Sequence, residues 1–382
     1  MLLWILDHLW QHTTSSGLSL EKITLRAALA AMASFVLAVA MGPHGIAWLR
    51  AHFREPIKCD SDQVRRLHAA KESTPTMGGL FIVAGLVAGL LVFSDLGNAN
   101  VQVALLLAVG LGMLGAVDDL VKLHRVRNGI SVRWKLAGQV LICTVAALWL
   151  ERHLSGLPGG LFLHLPLLPP VELGVWFVPW ATLVLVGSCN AVNLTDGLDG
   201  LAGGCLIFSV AAMTVVAYAA GHAAWADHLG IARVAGAGEV TVLAGALIGA
   251  LLGFLWFNCH PAQVFMGDTG SLPLGGLLGL LALASRQEWL LVPVGAVFVV
   301  EALSVIVQVG FFKWRGRRVL LCAPLHHHFQ LKGWPETRIV VRFWIASALC
   351  ALLGMAMLKL NLQEFRHPAD APTIAAKSTA RR

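Results

Sequence analysis

The chain alternates long apolar runs with short polar breaks. Windows of near-span length fall at Leu25–Met41, Met77–Phe93, Val101–Val117, Trp134–Leu150, Val175–Cys189, Leu201–Ala220, Val240–Phe257, Gly270–Ala284, Trp289–Phe311 and Ile339–Leu358. Each predicts a helix, because a chain crossing hydrocarbon must satisfy its backbone N–H and C=O groups internally. Several windows fall short of the roughly 20 residues a span usually needs, and the eighth is the weakest. The expected fold is all-α: one polytopic membrane domain over residues 1–366 with about ten spans, then a polar tail over 367–382 with the composition of a disordered segment. Gly156–Pro170, rich in Pro, Gly and Leu, predicts a hairpin or re-entrant element. Met1–Trp10 is apolar but lacks a basic start and a small-residue cleavage site, so it reads as an interfacial helix.

Composition agrees. Of 382 residues 57% are hydrophobic and 13% charged, with mean hydropathy +0.74. A soluble domain carries about 25% charged residues, so no single soluble core would hide this much apolar surface. The net charge of +7 then bears on topology rather than on nucleic acid. Arg50, Arg54, Lys58, Arg65, Arg66 and Lys71 lie in the first loop. Lys122, Arg125, Arg127, Arg133 and Lys135 lie in the third, and Lys313, Arg315, Arg317, Arg318, Lys332, Arg338 and Arg342 in the ninth. The even loops hold only Arg152, Arg233 and Arg286. The positive-inside rule therefore predicts cytoplasmic odd loops and both termini outside. The seven cysteines form no C-x-x-C pair and mostly lie in apolar stretches, which predicts reduced, buried thiols.

Candidate chemistry gathers on that cytoplasmic side. Asp118 and Asp119 close the third window, where acids oppose the helix dipole. Asp118 and Lys122 are i,i+4 neighbours, while Asp119 turns about 100° away. Asn190, Asn193, Asp196 and Asp199 recur every third residue in a Gly-rich stretch that includes Gly197 and Leu198, and helical spacing would align them in one stripe. Asp268 stands between two glycines at a predicted helix start, where a phosphate or a phosphate-bridging cation would be favoured. Asn258 and Phe265 precede it, and a ring such as Phe265 offers a face for a base. His326, His327 and His328 are adjacent, so their side chains diverge. Diphosphate contact and positioning of a leaving group fit them better than zinc. Lys71, ahead of Thr-Pro-Thr76-Met-Gly-Gly, offers a charge for a phosphate.

Asn190–Gly200, Phe265–Ser271 and Ala323–Glu336, in that order on ten spans, resemble the phospho-N-acetylmuramoyl-pentapeptide-transferases of glycosyltransferase family 4. The resemblance runs from about Leu67 to Leu358. It implies attack by undecaprenyl phosphate on UDP-N-acetylmuramoyl-pentapeptide with Mg²⁺ required, giving lipid I and UMP at the bacterial inner membrane, and it implies a homodimer. Asp268 then looks like the Mg²⁺ ligand and Asp118 like the proton acceptor, with Asp119 beside it. His326 resembles a catalytic histidine, and Lys71 would meet the diphosphate. Thr76, Asn190, Asn193, Asp196, Gly197, Leu198, Asp199, Asn258 and Phe265 resemble a nucleotide and sugar-phosphate pocket, with Gln308, His327 and His328 as outlying members. Two departures stand out: Ser73 replaces a usual Gly, and Pro273 replaces a usual Ala, a change tolerated near a helix start. Two other classes stay open. A sister transferase of an N-acetylhexosamine-1-phosphate would share the acids, though not the complete His326–Glu336 segment. A transporter would place its acids near the midplane on broken helices.

Overall fold

The computed structural model describes residues 22–52, 74–124, 129–157, 160–166 and 168–358. Lys71, Ser73, Cys59, the loop cations from Arg54 to Arg66, Met1–Trp10 and the 367–382 tail lie outside them. The chain order is α1 (Ile23–His52), α2 (Gly79–Phe93), α3 (Ala99–His124), α4 (Val132–Leu154), β1 (Phe162–Leu163), β2 (Val171–Glu172), α5 (Phe177–Thr195), α6 (Leu201–Gly221), α7 (Ala223–Leu229), α8 (Gly238–Asn258), α9 (Asp268–Ala284), α10 (Leu291–Val294), α11 (Ala296–Arg315), α12 (Leu325–Leu331) and α13 (Glu336–Met357). The protein is an all-α polytopic membrane protein. Among the described residues eight helices are long and apolar enough to cross a membrane, and α2 and α9 are shorter apolar helices in the second and eighth predicted windows.

The length of α9 explains much of the architecture. At 1.5 Å per residue its 17 residues span about 26 Å, short of the roughly 30 Å hydrocarbon core. A helix that short works in a membrane protein if other helices surround it. All of its residues are buried, with α3 and α5 packed along it and α2 and α6 beside it. The N-terminus of α9 is therefore held inside the bundle. Close approach of α3 needs Gly115, where a Cβ would lie 2.2 Å from the carbonyl oxygen of Asp268. Pro273 sits at the sixth position of α9, one turn beyond the tolerant start, and so offers no N–H to the carbonyl of Thr269.

Three expectations are refined. The ninth window is not one helix. A 3₁₀ turn (Glu288–Leu290) and α10 precede a break at Gly295, after which α11 runs to Arg315. Phe162–Leu163 of the Gly156–Pro170 stretch forms a short antiparallel hairpin with the residues that follow it, pairing Phe162 with Glu172 and Leu163 with Val171, and Arg286 donates to the carbonyls of Gly160 and Phe162. The described cysteines are free thiols, but only Cys143, Cys189 and Cys205 are buried; Cys322 and Cys350 are half-buried, and Cys259 is exposed because α8 ends at Asn258. At the same end of the bundle as the hairpin, the buried Arg26 of α1 pairs with Glu239 of α8, which also accepts the N–H of Asp95 at 2.9 Å.

Candidate functional site

At the opposite end of the bundle, the C-terminal turns of α3 lie beside the N-terminus of α9. Asp118, Asp119 and Asp268 are buried and bring carboxylate oxygens within 4.8 Å of one another. At that separation and an effective dielectric of 20, two carboxylates repel by about 3–4 kcal/mol, so the cluster requires cations. Lys122 Nζ lies 3.1 Å from Asp118 Oδ2, 3.2 Å from Asp119 Oδ1 and 2.8 Å from Asp268 Oδ2. Lys135, in the first turn of α4, also pairs with Asp268 and reaches Asp118 at 3.4 Å. Three acids against two ammonium groups leave the cluster one negative charge.

The acids have different tasks. Asp119 Oδ1 accepts the N–H of Asp268 at 3.1 Å, and its Oδ2 accepts the N–H and hydroxyl of Thr269 at 3.0 and 2.7 Å. A carboxylate of α3 thus caps α9, satisfying N–H groups that have no partner inside that helix. Asp118 Oδ1 accepts the N–H of Ile130 at 2.7 Å, and its Oδ2 stays with the lysines. Asp268 Oδ1 accepts from Asn193 Nδ2 at 2.5 Å, and the same amide donates to Ser271 Oγ at 2.8 Å. An oxygen-rich set around an ammonium position is a donor set suited to a hard divalent cation. Asp118, Asp119 and Asp268 could hold one if Lys122 and Lys135 swing aside.

The polar stripe of α5 fans out rather than staying on one line. Asn190 exchanges hydrogen bonds with the buried Gln139 of α4, at 2.8 Å from its Nδ2 and 3.4 Å to its Oδ1. Asn193 turns to α9. The helix stops at Thr195, and Asp196 caps its C-terminus. Burial, with Asp268 and Asp119 close by, pushes the Asp196 carboxyl up to about 7. Asp199, past the helix end, bonds instead to His260 Nδ1 at 3.1 Å and to the N–H of Ala262 at 3.2 Å. Asn258 accepts the N–H of Gly200 and donates to the carbonyl of Val264, both at 2.9 Å, so it ties two loops together. Thr76 is buried in a segment that pairs with the loop before α9: Phe265 N–H donates to Pro75 and Gly78 N–H to Phe265, both at 2.8 Å. Phe265 is half-buried in that loop.

His326 is wholly buried. Glu301 of α11, equally buried, accepts its backbone N–H at 3.1 Å and lies 3.3 Å from its Nδ1. Gly197 packs on the other ring nitrogen, where a Cβ would come within 2.2 Å of Nε2. Leu198 is buried beside it in the same turn. The expected divergence of the three histidines does not hold for the first two: the ring centroids of His326 and His327 lie 4.2 Å apart, with the rings tilted by 60°, because the short helix that carries them turns the His327 ring back over its neighbour. His327 Nδ1 meets Gln330 Oε1 at 2.7 Å, and His328 Nδ1 accepts the N–H of Leu321 at 3.1 Å. Gln308 lies apart from the acids and holds the loop before α12, accepting from Val319 and Leu320 and donating to the carbonyl of Leu320.

Sequence reasoning passed over Lys135, Gln139 and Glu301. Lys135 was legible only as a loop charge. Glu301 did carry a signal, a single acid inside an apolar window, which in a membrane protein marks a functional or paired group.

Comparison with known proteins points the same way. The family model for glycosyl transferase family 4 matches residues 101–286. A phospho-N-acetylmuramoyl-pentapeptide-transferase of Solidesulfovibrio magneticus is 48% identical over 345 residues, 89% of this chain and 94% of that protein. The protein of the same name from Granulibacter bethesdensis gives the same identity and coverage.

Proposed function

This chain belongs to the phospho-N-acetylmuramoyl-pentapeptide-transferase family, and from that premise we propose that it moves phospho-N-acetylmuramoyl-pentapeptide from its UDP carrier to undecaprenyl phosphate, releasing UMP and forming lipid I. The observation that carries the reading is the convergence of Asp118, Asp119 and Asp268 on Lys122 and Lys135. A phosphate acceptor embedded in lipid and a diphosphate donor from the cytoplasm need such a place, with acids for a cation and cations for phosphates, at the basic end of the bundle.

A phosphate oxygen of the lipid forms a bond to the β-phosphorus of the donor. The bond from that phosphorus to the bridging oxygen breaks, and the oxygen leaves with UMP. Asp118 takes any proton remaining on the lipid phosphate, since its Oδ2 is the oxygen not engaged by Ile130. Lys122 and Lys135 neutralise the diphosphate as it displaces them from Asp268. Asp268 and its neighbouring carboxylates would hold Mg²⁺, which when bound supplies neutralisation of the developing phosphate charge. Asp119 keeps α9 in place through its capping bonds. His326, fixed by Glu301, faces the turn that carries Asp196 and Gly197 and positions the leaving nucleotide. Phe265 offers its ring to the uracil. Phosphoryl transfer depends mainly on positioning and electrostatics, and these residues supply both.

The test is UMP release by purified, folded protein given UDP-N-acetylmuramoyl-pentapeptide, undecaprenyl phosphate and Mg²⁺. Release should require all three. Asp118→Asn and Asp268→Asn should each slow it at least about 100-fold. Release from UDP-N-acetylglucosamine instead would move the protein to the sister class, and no release from either would end the assignment.

A further inference from the structure

A second convergence of ligating side chains lies outside the acid cluster. Asp199 comes from the turn between α5 and α6, His260 from the loop after α8, and Glu336 from the first turn of α13. Their ligating atoms all lie within 4.8 Å of one another. His260 Nδ1 is 3.1 Å from Asp199 Oδ2 and 4.0 Å from Glu336 Oε2. Ligands at zinc distances on a tetrahedron are separated by about 3.4 Å, a value these two separations bracket. The donor set, one imidazole nitrogen and two carboxylates from three elements, matches a borderline divalent ion with a position left for water.

The carboxylates are already aimed. The N–H of Ala262 donates to Asp199 Oδ2 at 3.2 Å, and the N–H of Asp199 donates to Glu336 Oε1 at 2.9 Å. Such outer bonds orient metal ligands in known sites. Asp199 is buried, while the His260 side chain is 40% exposed, which gives an ion a way in. Binding needs Nδ1 deprotonated, with the ring proton carried by Nε2.

We propose that Asp199, His260 and Glu336 form a second cation site, for a borderline divalent ion of the zinc class, and that filling it blocks the nucleotide pocket. The second half rests on the proposed function, through Asp199 as a pocket residue. An ion there would cross-link the turn bearing Asp196, the loop leading to Phe265 and the start of α13, and would withdraw Asp199 from the nucleotide.

Titrating the full-length, tag-free protein with Co²⁺ in Mg²⁺ buffer tests the site without relying on activity. The wild type should take one ion, with the visible absorption of a low-symmetry complex. That absorption should be lost in His260→Ala and in Glu336→Gln, with thermal unfolding of each variant confirming its fold. An unchanged spectrum in both folded variants, or no such spectrum in the wild type, overturns the site. For the second half, Zn²⁺ should weaken UMP binding to the wild type at least tenfold and leave His260→Ala unaffected. Equal UMP affinity with and without Zn²⁺ overturns the blockade even if the ion binds. Failure of UMP release with intact Co²⁺ binding would count against the proposed function alone.

Discussion

Replacing Asp119 by alanine separates a capping carboxylate from a reacting one. In the folded protein Asp119 accepts three hydrogen bonds from the first two residues of α9, and the donors are buried. Alanine leaves two N–H groups and a hydroxyl without that partner. Each such loss costs about 1–3 kcal/mol. Against this, removing one of three clustered carboxylates relieves repulsion of about 3–4 kcal/mol per pair, most of which Lys122 and Lys135 already offset. A net loss of about 3 kcal/mol follows. With an unfolding entropy of about 2.1 cal/mol/K per residue, 382 residues give about 0.8 kcal/mol/K, so Tm should fall by about 4 °C. Asp268→Asn keeps the backbone N–H that Asp119 caps and removes a charge from the same cluster, so its Tm should stay within about 1–2 °C of wild type while UMP release collapses. Thermal unfolding of both purified variants, followed by size-exclusion fluorescence, makes the comparison. If Asp119→Ala kept the wild-type Tm while losing activity, the capping role would be wrong, and Asp119 would belong with the groups that touch substrate.

Other expected outcomes follow from single contacts. Glu301→Gln leaves an acceptor for the His326 N–H but places an amide against Nδ1, so UMP release should drop about 10- to 100-fold with an altered pH profile; an unchanged profile would remove Glu301 as the group that positions His326. Gly197→Ala puts a methyl on the His326 ring and should reduce turnover by at least about tenfold, the expected size of a loss in catalytic positioning; normal turnover would show that the ring can move away freely. In the hairpin loop, burial and the Arg286 charge hold His164 neutral, with its pKa lowered to about 4 from 6.5. The unfolded chain binds that proton first, so this contribution to stability is complete above about pH 6.5 and is lost as pH falls toward 4; Tm measured across that range should fall less steeply in His164→Gln, and parallel curves would rule the residue out.

The spans were legible because hydrocarbon imposes one requirement on every segment that crosses it, and that requirement shows in any window of the sequence. Several windows looked too short; most extend to full spans in the structure, and only those at α2 and α9, the latter already the weakest, stay short among the described residues. What the windows could not show was why that is tolerated: α9 is enclosed on all sides, and enclosure depends on helices far away in the chain. The broken ninth window shows the limit from the other side. Composition stays apolar across Gly295, so hydropathy does not register that the backbone stops and restarts there.

Pairing was the illegible part of the site. The i,i+4 relation of Asp118 and Lys122 could be read directly, and the structure keeps it. No local pattern could show that Asp119 caps a helix beginning 149 residues later, or that Lys135 would stand over Asp268. The three-residue repeat from Asn190 to Asp199 was real as spacing, yet it assumed the helix would continue. Once α5 ends at Thr195, Asp199 is free to turn toward His260 and Glu336, and a residue grouped by sequence with the acid cluster becomes the centre of another. The shortness of α9 connects these outcomes. Were α9 a full-length span, its first N–H groups would reach water at the bundle's end and need no carboxylate from α3. Because it starts inside the bundle, those groups require a buried acceptor, the acceptor brings its neighbour Asp118 with it, and two acids fixed there for packing reasons meet Asp268 in one buried cluster.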